Sequence, residues 1–189
     1  MSHRLAGRLA GALFLAVFVL YGVGDALAPR PAGLVLVLLN SAAVVVIGVL
    51  LYHPLRVAAP RAALVYLLTR ITEAVVLAGG VLLLAGGNAS AHHVAYTAAM
   101  VLLGLGSIPF CLALPAAGTA PRWFGLWGAA GYALLAVGVL LEPVLAGASV
   151  ALAVPGGLFE ITFGLLLLVR GWYPTAPSAL VEPESAVRQ

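Results

Sequence analysis

The chain has no lysine and a single cysteine, and only 8% of its 189 residues are charged. The lone Cys111 excludes an intramolecular disulfide and any multi-cysteine metal site. Its apolar surroundings suit a small packing residue. The shortage of charge excludes more. Soluble domains are about a quarter charged and about half apolar, whereas this chain is 63% hydrophobic with a mean hydropathy of +1.15. A water-facing surface is not built from such a list. All nine basic residues are arginines, in keeping with a high-GC bacterial coding bias. The pI near 9.4 does not imply nucleic acid, because the arginines stand singly and form no basic face.

Familiar site chemistry is also missing. His92 and His93 are adjacent, so on a helix they point about 100° apart and do not chelate in the i, i+4 manner. There is no His-Glu-x-x-His, and His3 and His53 belong to the opposite membrane side, so no metal is expected. The Gly-x-Gly strings at Gly22 and Gly104 lack the third glycine and the preceding strand of a dinucleotide site. Neither a P-loop nor a Gly-x-Ser-x-Gly elbow occurs. No cofactor is expected. Asn88-Ala89-Ser90 is a glycosylation sequon, which matters only in a eukaryotic secretory pathway.

What is present is apolar length. A bilayer core takes about 20 residues of helix, and six stretches qualify, at Leu9 to Leu27, Gly33 to Tyr52, Ala62 to Ala85, His93 to Leu114, Trp123 to Leu141 and Ala146 to Val169. Between them lie Pro29-Arg30-Pro31, His53-Pro54 through Pro60-Arg61, Gly86-Gly87-Asn88, Pro115 through Pro121-Arg122, and Glu142-Pro143. Proline and glycine end helices through the missing N–H and the loose backbone. The reading is an all-α polytopic bundle, with residues 1–173 as a six-span domain and 174–189 as a disordered cytoplasmic tail.

Arginine sets the expected direction. With the N-terminus inside, Arg4, Arg8, Arg56, Arg61, Arg122, Arg170 and Arg188 are cytoplasmic, only Arg30 is external, and Arg70 lies within a span. Positive residues are retained on the cytoplasmic side, which puts both termini in the cytoplasm of a cell membrane. Tyr52, Trp123, Trp127, Trp172 and Tyr173 fall at the inner boundary as aromatic anchors. The start also carries a basic segment, an apolar run and Ala26-Leu27-Ala28, resembling a signal-peptidase site. That run is long for a signal and Asp25 stands beside the cut, so a retained first span is expected.

Ionisable groups inside a span cost at least about 2.5 kcal/mol on insertion scales, so each one present requires an account. In the third span Tyr66, Thr69, Arg70 and Glu73 share one helical face, with Arg70 and Glu73 close enough to pair. Glu73 lies near mid-depth. Glu160 is a second mid-depth carboxylate, among Gly156, Gly157 and Gly164, which allow close helix approach. Gly7-x-x-x-Gly11 is another possible contact face. Asp25, Asn40, His92 and His93 lie towards the outer side. If these faces turn inward, a polar pocket opens outward and ends at Arg70, Glu73 and Glu160, with Asn40, Asp25 and Tyr66 as further candidate binding residues. Three spans plus three also give halves of inverted topology, each with a glutamate in its third span, as in many transporters.

Four blocks resemble a bacterial multi-pass family, domain of unknown function 4386. They are Arg8-Leu9-Ala10-Gly11-Ala12-Leu13-Phe14-Leu15, Tyr66-Leu67-Leu68-Thr69-Arg70-Ile71-Thr72-Glu73-Ala74, Pro121-Arg122-Trp123-Phe124-Gly125-Leu126-Trp127-Gly128, and Pro155-Gly156-Gly157-Leu158-Phe159-Glu160 leading to Val169-Arg170-Gly171-Trp172. The resemblance implies six spans and draws attention to Arg70, Glu73 and Glu160; it brings no activity. Three functions fit the residues. The first is binding or moving a small solute or lipid through the pocket. The second is an intramembrane enzyme doing acid/base chemistry on a lipid or isoprenoid, with Glu73 or Glu160 as acid. The third is a structural or regulatory subunit whose polar residues fix helix register. The expected partners are the bilayer and a lipid or small apolar ligand, with no nucleic acid.

Overall fold

Proline and capping side chains set where each helix begins. The computed structural model describes residues 2–172; the expected disordered tail, the anchor Tyr173 and the cytoplasmic Arg188 lie outside the described residues. The helices are α1 (His3–Leu27), α2 (Pro31–Ala58), α3 (Pro60–Ala85), α4 (Ala89–Ala113), α5 (Arg122–Leu141) and α6 (Ala148–Arg170). All six are long and apolar enough to cross a membrane, and the described residues contain no strand. α1 starts at His3 because the Ser2 hydroxyl accepts from Leu5 N–H, and α4 starts early because Asn88 Oδ1 accepts from Ala91 N–H. Such caps satisfy helix-end donors that would otherwise have no partner.

The expected break at His53-Pro54 does not occur. α2 continues through Pro54 to Ala58, since an interior proline removes one hydrogen bond and tolerates a continuing helix when tertiary packing holds it. Pro54 and Leu55 are both buried. The break falls instead at Ala59, with Pro60 taking the first position of α3, where its missing N–H has no helical partner to lose.

Each helix packs on its neighbours in the chain, and α1 packs on α6, so the bundle is a closed ring. In ring order α3 stands opposite α6, and α1 opposite α4. The outer faces carry exposed Leu39, Leu68, Val75, Leu105, Leu140 and Leu158, while Asn40, Ser41, Arg70, Glu73 and Ser107 are buried inside. Polar groups inside and apolar groups outside is the arrangement that a lipid solvent imposes. The chain is a multi-pass membrane protein.

Small residues close the ring on both sides of α6. A Cβ added at Gly11 of α1 would lie 2.5 Å from the Gly164 carbonyl oxygen, and one at Gly131 of α5 would lie 2.7 Å from Gly156 Cα. Only glycine lets these backbones approach so closely. The Gly7–Gly11 face of α1 is thus a helix contact after all.

The half of the ring nearer the chain ends is filled by aromatic rings. Phe159 and Phe163 are stacked with centroids 5.8 Å apart, Phe14 meets Phe163 edge-on at 5.7 Å, and Tyr66 stacks on Phe110 at 4.1 Å. Trp123 at this end is 65% exposed, as an interfacial anchor should be, but Trp172 is buried. Trp172 backbone fills the space beside Gly7, so this tryptophan is a packing residue at the ring seam. The opposite half of the ring is less densely filled, and the cavity lies there.

Candidate functional site

α3 turns Tyr66, Arg70, Glu73 and Leu77 to the interior at helical spacing, and all four are buried. Arg70 lies above the aromatic plug, its guanidinium carbon 5.1 Å from the Tyr66 ring centroid and 5.7 Å from that of Phe14. Each of its nitrogens has a partner. Nε donates to the Tyr66 hydroxyl at 2.9 Å, Nη1 to Glu73 Oε2 at 3.0 Å, and Nη2 to Tyr132 Oη at 3.4 Å and Glu160 Oε1 at 3.3 Å. The side chain therefore crosses the ring from α3 to α5 and α6. Tyr132 closes the network by donating its phenol to Glu160 Oε1 at 2.5 Å.

This cross-brace has an unequal charge count, one guanidinium facing two carboxylates. Arg70 and Glu73 side chains are 4% exposed and Glu160 is 14% exposed. Among the described residues neither Glu73 Oε1 nor Glu160 Oε2 receives a hydrogen bond. In a medium of low dielectric such groups interact strongly with whatever approaches them.

A cavity of about 320 Å³ stands on this floor, and all six helices contribute to its lining. Arg70, Glu73, Tyr132 and Glu160 form its polar end, with Asn40 on the wall. Val17, Val44, Leu77, Met100, Leu103 and Leu135 make the remainder largely apolar. Small residues of α6, Ala153, Gly156 and Gly157, leave the room that larger side chains would fill. The size and the mix of apolar wall with a few convergent polar groups match small-molecule sites in general.

Two contacts span the ring above the cavity, both between α1 and α4. The rings of Tyr21 and Tyr96 stack with centroids 5.9 Å apart, and His92 Nε2 lies 3.8 Å from Asp25 Oδ1. Tyr21 and Asp25 are one turn apart on α1, as are His92 and Tyr96 on α4, so the pairs form successive rungs.

The structure brings Arg70, Glu73, Glu160 and Asn40 together at the cavity. Tyr66 lies beneath it and holds Arg70 from below. Asp25 is half exposed and stands outside the cavity, at the roof. Thr69, grouped with Tyr66 and Arg70 by spacing, instead packs its side chain at Gly106 of α4. Sequence reasoning missed Tyr132, Tyr21 and Tyr96. For Tyr132 a signal existed: Gly125, Gly128 and Gly131 mark the packed face of α5, and a tyrosine beside them points inward with its hydroxyl. Among the described residues there is no group of three His, Cys, Asp or Glu able to hold a metal ion.

The family model described as a domain of unknown function (DUF4386) matches residues 85–171. It is the family that the sequence blocks resemble, and the blocks around Trp123 and Glu160 fall inside the match. No curated protein and no solved structure matches the chain.

Proposed function

We propose that this multi-pass membrane protein, whose residues 85–171 match DUF4386, holds a small, mainly apolar molecule in its ring and turns the polar end of that molecule to Arg70, Glu73, Tyr132 and Glu160. One observation carries the reading: the buried ion-pair network forms the floor of a cavity instead of lying between packed side chains. A network that only fixed helix register would be covered on all sides. Ionisable groups at such depth mark binding sites and pathways in membrane proteins generally. The test is mass spectrometry of small molecules and lipids that co-purify with the full chain and with Ala153→Phe. That substitution fills the cavity and leaves the floor untouched. A molecule retained by the native chain and lost from the variant supports the reading; identical content in both refutes it.

The arginine distribution further supports both termini facing the cytoplasm of a bacterial cell membrane. Six crossings return the chain to its starting side. Reporter fusions after Arg30, Gly87 and Pro143 are expected to read external, and fusions after Ala59 and Thr119 cytoplasmic. The opposite pattern would reverse the assignment.

A further inference from the structure

We infer that the ligand of this cavity is an organic monocation, an apolar body bearing one ammonium-type group, which sits against Glu73 and Glu160. The inference rests on the cavity being a binding site, as proposed above, and adds the chemistry of what it takes.

Three observations lead there. The first is charge. Arg70 offers one positive charge to two carboxylates, and the groups that face the floor from the other helices supply no second one. These are Tyr21 on α1, Asn40 on α2, Tyr66 on α3, Tyr96 and Cys111 on α4, and Tyr132 on α5. The nearest histidine, His92, lies at the roof, 3.8 Å from Asp25 Oδ1. Two ionised carboxylates and one guanidinium in a largely apolar cavity call for one more positive charge.

The second is direction. Four of the five N–H groups of Arg70 already donate within the network, so an anionic headgroup would find a single free N–H beside two carboxylates that repel it. Among the charged groups the oxygens without donors are Glu73 Oε1 and Glu160 Oε2. A cation completes the network as it stands.

The third is the wall. Phe18, Tyr21, Tyr96 and Tyr132 contribute to the lining of the cavity, and aromatic rings attract organic cations where water is excluded. An apolar wall, ring faces and a carboxylate base together accept a charged head and its hydrocarbon. A proton on one carboxylate balances the same charge in the empty site, so proton and cation compete. Cation affinity then rises with pH.

The test uses the purified full chain in lipid nanodiscs and three probes of one shape: benzyltrimethylammonium, its carbon isostere neopentylbenzene, and benzylsulfonate. Equilibrium dialysis against Ala153→Phe nanodiscs subtracts partition into lipid. The ammonium is expected to bind at least about tenfold more tightly than either other probe, and more tightly as pH is raised. Glu160→Gln and Glu73→Gln should each remove that preference, with size-exclusion profiles showing whether the variants remain folded. The pH series on the native chain tests the point even if they do not. Preference for the neutral or the sulfonate probe, or a pH-independent affinity, overturns the cation inference and leaves the binding reading standing. No cavity-dependent binding by any probe, with no co-purified molecule, overturns both.

Discussion

Tyr132 and Glu160 face each other across the α5–α6 interface, and the glutamate oxygen that accepts the phenol's hydrogen bond also accepts one from Arg70 Nη2 at 3.3 Å. One carboxylate oxygen thus joins three helices. The phenol positions Glu160 without adding charge, and removing its hydroxyl leaves the arginine pair in place.

Tyr132→Phe is therefore expected to retain the fold and lose about 2 to 3 kcal/mol, because it removes two hydrogen bonds to charged groups, one donated to Glu160 and a longer one accepted from Arg70 Nη2. Unfolding in mixed micelles measures it. A loss as large as that of an arginine variant would show that the phenol holds the whole network.

Arg70→Met should be far more damaging, by about 3 to 5 kcal/mol, because it leaves two buried carboxylates without a counter-charge. The triple variant Arg70→Met, Glu73→Leu, Glu160→Leu should recover most of that stability, since a fully apolar replacement leaves no charge stranded. Comparing unfolding midpoints decides it. If the triple variant is no better than the single one, the network supports the fold in a way that charge balance does not explain.

Gly11 and Gly22 lie on the same helix and predict opposite responses. Gly11→Val drives a side chain into the Gly164 carbonyl and Leu168 backbone, forcing α1 from α6 at about 1 to 3 kcal/mol. A Cβ at Gly22 meets nothing within 4 Å, so Gly22→Ala should be neutral or slightly stabilising. Thermal unfolding of the two variants side by side is the measurement; equal losses would contradict the close approach at the seam.

Glu142, outside the spans, gives a pH prediction. Its carboxylate accepts from Gly147 N–H at 3.0 Å and Ser149 N–H at 2.7 Å, and these backbone bonds hold its pKa below the ordinary carboxylate value. A depressed folded pKa means the contribution is present above the unfolded value and is lost as pH falls through the folded one. Protection of the Gly147 and Ser149 amides, relative to their intrinsic exchange rates at each pH, should fall on acidification. Glu142→Gln, which keeps only one uncharged acceptor oxygen, should show reduced protection already at neutral pH, and pH-independent protection in the native chain would refute the linkage.

The spans were legible because lipid acts on every residue of a helix, so hydropathy and proline punctuation summed over long windows. Even so, Pro54 misled, since a proline removes one bond while the burial of Leu51 and Leu55 holds the helix together. Arg70, Glu73 and Glu160 were legible for the same reason in reverse: each opposes its apolar surroundings. Tyr132, Tyr21 and Tyr96 were not, because a tyrosine in a span is ordinary until its hydroxyl is seen to meet a partner. Asp25 shows the remaining gap. Depth along a helix follows from counting, but which neighbour the side chain meets depends on the ring order, and hydropathy carries no record of that.

The closed ring has a consequence for how the protein is made. The seam joins α1 to α6, Gly11 to Gly164 and Gly7 to Trp172, so it cannot form until α6 has been made, on the order of ten seconds after α1 emerges. Through that interval Arg70 has Glu73 and Tyr66 of its own helix for company, and the charge enters the membrane already partnered. The glycine face of α1 has no such provision. It stays uncovered until α6 arrives, so the seam is the last contact of the ring to close.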